Sequence, residues 1–295
     1  SIPLMHGACV YTIAADQIGY SHIYELLDKH NLTVAFIGPS TIRYLRPYFD
    51  EINLPALKYC AFAGEELPLD ILIEWSKCIP NAIIQNHYGP TECTTYCTFS
   101  QFDRNNDLAN KSYHGIFFIG RPYDGIKTII VDSDYNEVNI GCQGELCLAG
   151  NQLTKGYLNS DTKNRTSFFI KDGIRYYRTG DICYQDDEKN IMFVGRLDSQ
   201  VQIYGYRVEL GEIEFHAKKI FGGVNICVLA IENRIGNTEI VLFLECKPFE
   251  VKRIRESLEQ ALPSYMVPTR FVFEAQFPIN SNGKIDKLKL KSGLK

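Results

Sequence analysis

Three short stretches place reactive side chains at turns. In "NHYGPTE", Asn86 to Glu92, the turn formers Gly89 and Pro90 separate a histidine and a tyrosine from a threonine and a carboxylate. Tyr88 offers a flat face for an aromatic base, Thr91 a hydroxyl for a phosphate oxygen, and Glu92 a hard oxygen ligand suited to magnesium. The same residues also suit a plain surface turn, with Thr91 capping and Glu92 facing a helix N-terminus. In "RTGD", Arg178 to Asp181, the aspartate stands between two apolar segments. It can accept two neighbouring hydroxyls, the usual way to hold a ribose, or serve as a turn residue. In "NSNGKID" the pair Asn282 and Gly283 is a hairpin signal. Lys284 at the exit of that turn either reaches into a cleft to neutralise charge on a transferring phosphoryl group or stays solvated. A GxxxxGK(S/T) stretch is missing, which excludes a P-loop.

The elements that must position these turns read differently along the chain. "IGYSHIYELLDKH", "TIRYLRPYF" and "LPLDILIEWSKCI" carry apolar residues at helical spacing. "LTVAFIGPS", "LKYCAFAGE" and "NAIIQ" read as buried strands between them. Such alternation with short connections predicts a parallel sheet with covering helices. "NHYGPTE" then lies beyond the carboxyl end of the strand "NAIIQ", where open α/β sheets bind ligands. After residue 115 short strands separated by Gly, Asp and Asn turns predict a barrel or meander. From "ELGEIEFHAKKI" onward, helices at 209–220 and 251–262 and three further strands predict a small α+β domain. The boundary is placed near "GRLDSQ", Arg196 to Gln200.

The chain has 295 residues, enough for two domains. With 45% apolar and 22% charged residues it falls in the ordinary globular range. A net charge of −4 gives no reason to expect nucleic acid as a partner. No apolar run approaches the roughly 18 residues of a membrane span. The N-terminus has neither a basic n-region nor a cleavage site, and a cytoplasmic location is expected. The ten cysteines are scattered singly without a CxxC, so most are expected to be small buried apolar groups.

Taken in order, "NHYGPTE", "GELCLAGNQLTKGYLN", "YRTGD", "GRLDSQVQIYGYRVELGEIE" and "NSNGKID" resemble the later core motifs of nonribosomal peptide synthetase adenylation domains, within the adenylate-forming (AMP-binding) superfamily. Closer still, "FAGEELPLDIL", "GRLD", "GYRVELGEIEFH" and "LPSYMVPTRFVF" resemble the D-alanine–carrier protein ligases. The resemblance extends over essentially the whole chain. It implies the C-terminal part of a large α/β adenylation domain over 1–197, with a parallel sheet, helices and a small β-barrel, then a small mobile α+β domain over 198–295. The family's earlier half, with its phosphate loop and the aspartate that holds the substrate ammonium, has no counterpart. The abruptly starting chain is therefore expected to be part of a longer enzyme.

The resemblance also implies chemistry. An amino acid carboxylate would attack the α-phosphate of ATP, and the thiol of a carrier protein's phosphopantetheine would then take the acyl group. Asn86, His87, Tyr88, Gly89, Pro90 and Thr91 would line the nucleotide site, with Tyr88 against adenine. Glu92 would hold Mg2+, and Asp181 the ribose hydroxyls, with Phe193 and Arg196 approaching ribose and phosphate. Ala61, Ala63 and Thr95 would line the amino acid pocket. Lys284 would bridge carboxylate and nucleotide as the catalytic cation, and Asp198 would be the hinge on which the small domain turns between half-reactions. Three departures stand out. Gln202 and Tyr204 replace basic residues of the relatives, and Ala63 replaces a cysteine of the D-alanine ligases, leaving room for a larger or differently handed substrate. D-alanine is the favoured substrate. An acyl-CoA synthetase and a non-catalytic nucleotide- or carrier-binding remnant are the alternatives.

Overall fold

Short connections between elements of alternating type bring three strands side by side in the first half of the chain. In order these are α1 (Ile2–Met5), α2 (Gly19–Lys29), β1 (Val34–Ile37), α3 (Pro39–Leu45), β2 (Tyr59–Ala63), α4 (Leu69–Cys78) and β3 (Ile83–Tyr88). The computed structural model describes residues 2–12, 19–104, 111–197, 200–248, 250–280 and 285–294. The chain divides into two compact units, Ser1–Leu197 and Asp198–Lys295. In the first, β1, β2 and β3 pair in parallel, as helical crossovers require. Then β4 (Thr98–Phe102) turns back antiparallel to β3, and two-residue strands β5 (Ser112–Tyr113), β6 (Ile116–Phe117) and β7 (Arg121–Pro122) follow, β7 closing the sheet against β4.

The sheet is covered by helices on one face. Ala35, Ile37, Cys60, Phe62 and Ile84 point into a core with Leu27 of α2, Ile42 and Leu45 of α3, and Leu72 and Trp75 of α4. The opposite face of β1 and the start of β3 are open, with Val34 53%, Phe36 58% and Ile83 50% exposed. The expectation that "LTVAFIGPS" holds a buried strand is therefore wrong for two of the four residues of β1. Apolar content cannot tell a strand buried on both faces from one covered on a single face.

An antiparallel sheet follows, built from β8 (Ile126–Val131), β9 (Gly144–Gly150), then after α5 (Asp161–Ser167) from β10 (Phe168–Lys171), β11 (Ile174–Gln185) and β12 (Ile191–Arg196). Its central strand β9 is apolar on both sides. Leu146 and Leu148 enter one cluster with Ile126, Cys183 and Ile191, while Cys147 and Ala149 enter another with Val131 and Tyr176. Long β11 carries β10 and β12 along one edge and β9 along the other.

The second unit begins with the hairpin β13 (Gln200–Ile203) and β14 (Tyr206–Glu209), followed by α6 (Leu210–Phe221), β15 (Ile226–Glu232), β16 (Thr238–Glu245), α7 (Val251–Glu259), β17 (Arg270–Glu274) and α8 (Lys287–Ser292). β16 is central, antiparallel to β15 and parallel to β17. One sheet face packs Val228, Leu242 and Leu244 against Ile213 and Ala217 of α6 and Ile254 and Leu258 of α7. The other packs Cys227, Val241 and Phe243 against Leu290 of α8 and Phe277. Among the described residues no helix is long and apolar enough to cross a membrane.

Candidate active site

The loop after β3 owes its shape to two local features. Gly89 lies so close to the returning chain that a Cβ there would sit 2.5 Å from the Thr95 carbonyl oxygen and 2.8 Å from the Cys97 nitrogen. Thr94 and Thr95 both take left-handed backbone angles, φ 50 and 72, which reverse the chain so that the Cys97 N–H donates to the Tyr88 carbonyl at 2.7 Å. Between them Thr91–Cys93 forms one 3-10 turn. Pro90 precedes it and no side chain caps it, so Thr91, which is exposed, is not the cap that the plain-turn reading expects.

The residues of β3 alternate between the two sheet faces. Asn86 is buried, its amide donating to the Phe118 carbonyl at 3.1 Å. His87 is buried with the Tyr123 hydroxyl 2.7 Å from Nδ1 and the Tyr59 hydroxyl 3.2 Å from Nε2. Since Tyr59 gives its proton to Gln85 Oε1, Nε2 is the donor and Nδ1 accepts from Tyr123. That neutral imidazole agrees with burial pulling its pKa below the ordinary histidine value. Ala63 is the register partner of His87 and Ala61 that of Gln85, so both alanines share a sheet face with the histidine. Thr95 is exposed in the loop above.

Tyr88 joins the two sheets. Its hydroxyl donates to Oδ2 of Asp181, and Oδ1 of the same carboxylate pairs with the Arg196 guanidinium. Arg196 also donates to the Thr179 carbonyl at 3.2 Å. Asp181 is buried, and burial together with its carboxylate pushes the Tyr88 phenol well above its usual range. Phe193 lies beside them, packed with Tyr88 against the Leu146–Cys183 cluster. Tyr88 of β3 and Arg196 of β12 thus converge on the Asp181 carboxylate of β11, with Phe193 packed nearby.

Glu92 stands apart from that group. It is buried, and its Oε1 accepts from the Tyr157 hydroxyl. The segment after β9 braces the whole loop: the Gln152 amide donates to the carbonyls of Cys93 and Tyr96, both at 2.8 Å, and the Thr154 N–H to that of Glu92 at 2.8 Å. Among the described residues no three His, Cys, Asp or Glu side chains are grouped to cage a metal. A single buried carboxylate fits magnesium that is held mostly by phosphate and water, and does not fit a dedicated protein cage. The buried Asp181 acceptor beside a phenol and a guanidinium fits a nucleoside phosphate.

Asp198 and Lys284, with Asn282 and Gly283, lie outside the described residues. On either side of the latter, Ile279 and Ile285 form an antiparallel bridge. Residue types and spacing assigned no role to Tyr59, Tyr123, Gln152 or Tyr157. Gln152 and Tyr157 fall within "GELCLAGNQLTKGYLN", whose match to known motifs was the one available signal. Nothing local marks Tyr59 and Tyr123.

Comparison with known proteins places these residues in context. A family model described as "AMP-binding enzyme" matches residues 1–158. A linear gramicidin synthase of Brevibacillus parabrevis is 35% identical over 272 residues, covering 90% of this chain and 5% of that protein. A D-alanine–D-alanyl carrier protein ligase of Bacillus licheniformis is 30% identical, covering 98% of this chain and 58% of the ligase. Among solved structures, the adenylation domain AlmE of Vibrio cholerae, in complex with glycyl-adenosine-5'-phosphate, superposes with a TM-score of 0.85 at 27% identity, covering 99% of this chain and 55% of AlmE. The chain therefore spans just over half the length of the carrier protein ligase and of AlmE.

Proposed function

The chain belongs to the AMP-binding enzyme family, and from that premise we propose that it forms part of a ligase that activates an amino acid with ATP and transfers it to a carrier protein. The observation that carries this reading is the convergence of Tyr88 and Arg196 on the buried Asp181 carboxylate. Each carboxylate oxygen accepts more than one hydrogen bond, so ribose hydroxyls can join these partners on Asp181. Tyr88 and Phe193 then border the base and sugar, and Arg196 supplies positive charge. Thr91, the exposed residue of the 3-10 turn, offers its hydroxyl to the α-phosphate.

In the first step a substrate carboxylate oxygen bonds to the α-phosphorus of ATP and the bond to pyrophosphate breaks, leaving an aminoacyl-adenylate. Lys284 stabilises the charge that gathers on the phosphoryl oxygens. In the second step a carrier thiolate attacks the acyl carbon and AMP leaves, after the small unit has turned about Asp198. Glu92 would hold magnesium, which neutralises phosphate charge when bound.

Ala61 and Ala63 line the amino acid pocket beside the neutral His87 and leave room for more than the smallest side chains, with D-alanine the favoured substrate. The 30% identity to carrier protein ligases over nearly the whole chain supports it. The test is amino-acid-dependent exchange of labelled pyrophosphate into ATP by the full-length protein, across D-alanine, L-alanine, glycine, larger D-amino acids, and fatty and aromatic acids. Exchange is expected with small amino acids, D-alanine foremost. Exchange supported only by acids without an amine would overturn the reading.

A further inference from the structure

The placement of Asp181 depends on a break in the β-ladder. Between the pairs Arg178↔Cys147 and Ile182↔Glu145, four steps along β11 run against two along β9. The surplus residues bulge out of the sheet with Gly180 at φ 74, and Asp181 rides on that bulge. A bulge strips backbone groups of their ladder partners, and burying them unpaired is costly. Here several find substitutes. The Gly180 N–H donates to Glu145 Oε1 at 3.0 Å, and the Asp181 N–H to the Thr179 hydroxyl at 3.0 Å. That hydroxyl donates onward to the Leu146 carbonyl at 2.7 Å. The Gly180 carbonyl accepts from the Leu197 N–H at 2.8 Å.

Glu145 reaches into the bulge from the neighbouring strand β9. Its carboxylate is 7% exposed as a residue, too deep for a lone charge. Arg178 compensates, donating through Nε at 2.9 Å and Nη2 at 2.7 Å to the Oε2 that the Gly180 amide leaves aside. One carboxylate thus ties the residue before the bulge to the amide at its centre. Neither Glu145 nor Arg178 touches the Tyr88–Asp181–Arg196 group in any of these contacts.

We propose that Glu145, neutralised by Arg178, is a positioning residue: it sets the β11 bulge so that the Asp181 carboxylate meets the two ribose hydroxyls of the nucleotide. The proposal rests on the reading of Asp181 as the ribose acceptor. Its effect is confined to recognition of the sugar hydroxyls.

The test compares binding of ATP and 2',3'-dideoxy-ATP, by calorimetry on the full-length protein, for wild type and for Asp181→Ala, Glu145→Ala, Glu145→Gln and Arg178→Lys. Charge-assisted hydrogen bonds to the hydroxyls should make wild type prefer ATP by about tenfold or more, and Asp181→Ala should remove that preference. Glu145→Ala is expected to lower the preference by at least about fivefold with dideoxy-ATP affinity within twofold of wild type. Glu145→Gln, which keeps an acceptor for the Gly180 amide, should recover part of it. If Glu145→Ala does not fold, Glu145→Gln and Arg178→Lys carry the test, together with faster amide exchange at Gly180 and Asp181. Full preference in folded Glu145 and Arg178 variants, with Asp181→Ala still abolishing it, would overturn the proposal and leave the ribose reading standing. Equal loss for both nucleotides would also overturn it, as general damage. If Asp181→Ala leaves the preference intact, the ribose reading fails and the proposal falls with it.

Discussion

Replacing Gly89 by alanine tests whether the loop after β3 is held by close backbone packing. The added Cβ would lie 2.5 Å from the Thr95 oxygen, 2.8 Å from the Cys97 nitrogen and 2.9 Å from the Tyr96 Cα. All three are main-chain atoms, which cannot rotate aside as a side chain can, so the 95–97 segment must shift by roughly 0.5–1 Å. Overpacking of this kind costs about 1–3 kcal/mol. Stretching the 2.7 Å bond from Cys97 N–H to Tyr88 O removes up to about 1 kcal/mol more. A loss of about 3 kcal/mol is expected, or ~6–12 °C in the melting temperature of a unit this size. Trp75 makes the measurement specific to the first unit: it is the one tryptophan in the sequence and is fully buried in that unit's core. Its emission during urea unfolding gives the stability change. Gly195→Ala is the control, because beyond its two chain neighbours no heavy atom lies within 4 Å of a Cβ there, and it should change stability by less than about 0.5 kcal/mol. Equal midpoints for Gly89→Ala and Gly195→Ala would refute the packing account.

Because burial lowers the pKa of His87, the unfolded chain binds a proton near pH 6.5 that the folded chain refuses. Stability should therefore fall as pH drops from about 6.5 toward the folded value and level off below it. Trp75-monitored unfolding of wild type and His87→Gln at several pH values checks this, and parallel slopes would refute it. Ala63→Cys adds bulk beside His87 and should narrow amino acid selectivity against larger side chains by about 1–3 kcal/mol; a flat substrate profile in the exchange assay would take Ala63 out of the pocket. Native thiol labelling should be fast only at Cys9 and Cys142, which are exposed, and slower at half-buried Cys246. The seven buried thiols should wait for unfolding, since burial pushes Cys60 up to about 12 and Cys78 and Cys227 to about 11. Rapid labelling of Cys60 would contradict its place in the core.

The order of elements was legible from the chain itself. Helical and strand periodicities are local, and those of α4, α6 and β2 each fall where apolar spacing placed them. The residue types of "NHYGPTE" and "RTGD" were local too and marked Tyr88 and Asp181, but neither stands in the turn expected there: residues 86–88 lie within β3 and residues 178–181 within β11. What no window of sequence contains is the partner across a gap. Tyr88 and Asp181 are 93 residues apart, yet one hydrogen bond joins them. His87 has its tautomer chosen by Tyr59 on β2 and by Tyr123 just after β7. The open face of β1 was hidden for the same reason, since periodicity records that a residue is apolar and not which side a helix covers. Sequence by itself determined which residue types stand at the turns and which segments bury a stripe. Tertiary structure alone decided which of them share a carboxylate, because a hydrogen bond depends on separation in space, and the ladder shift in β11 that delivers Asp181 is a property of two strands together.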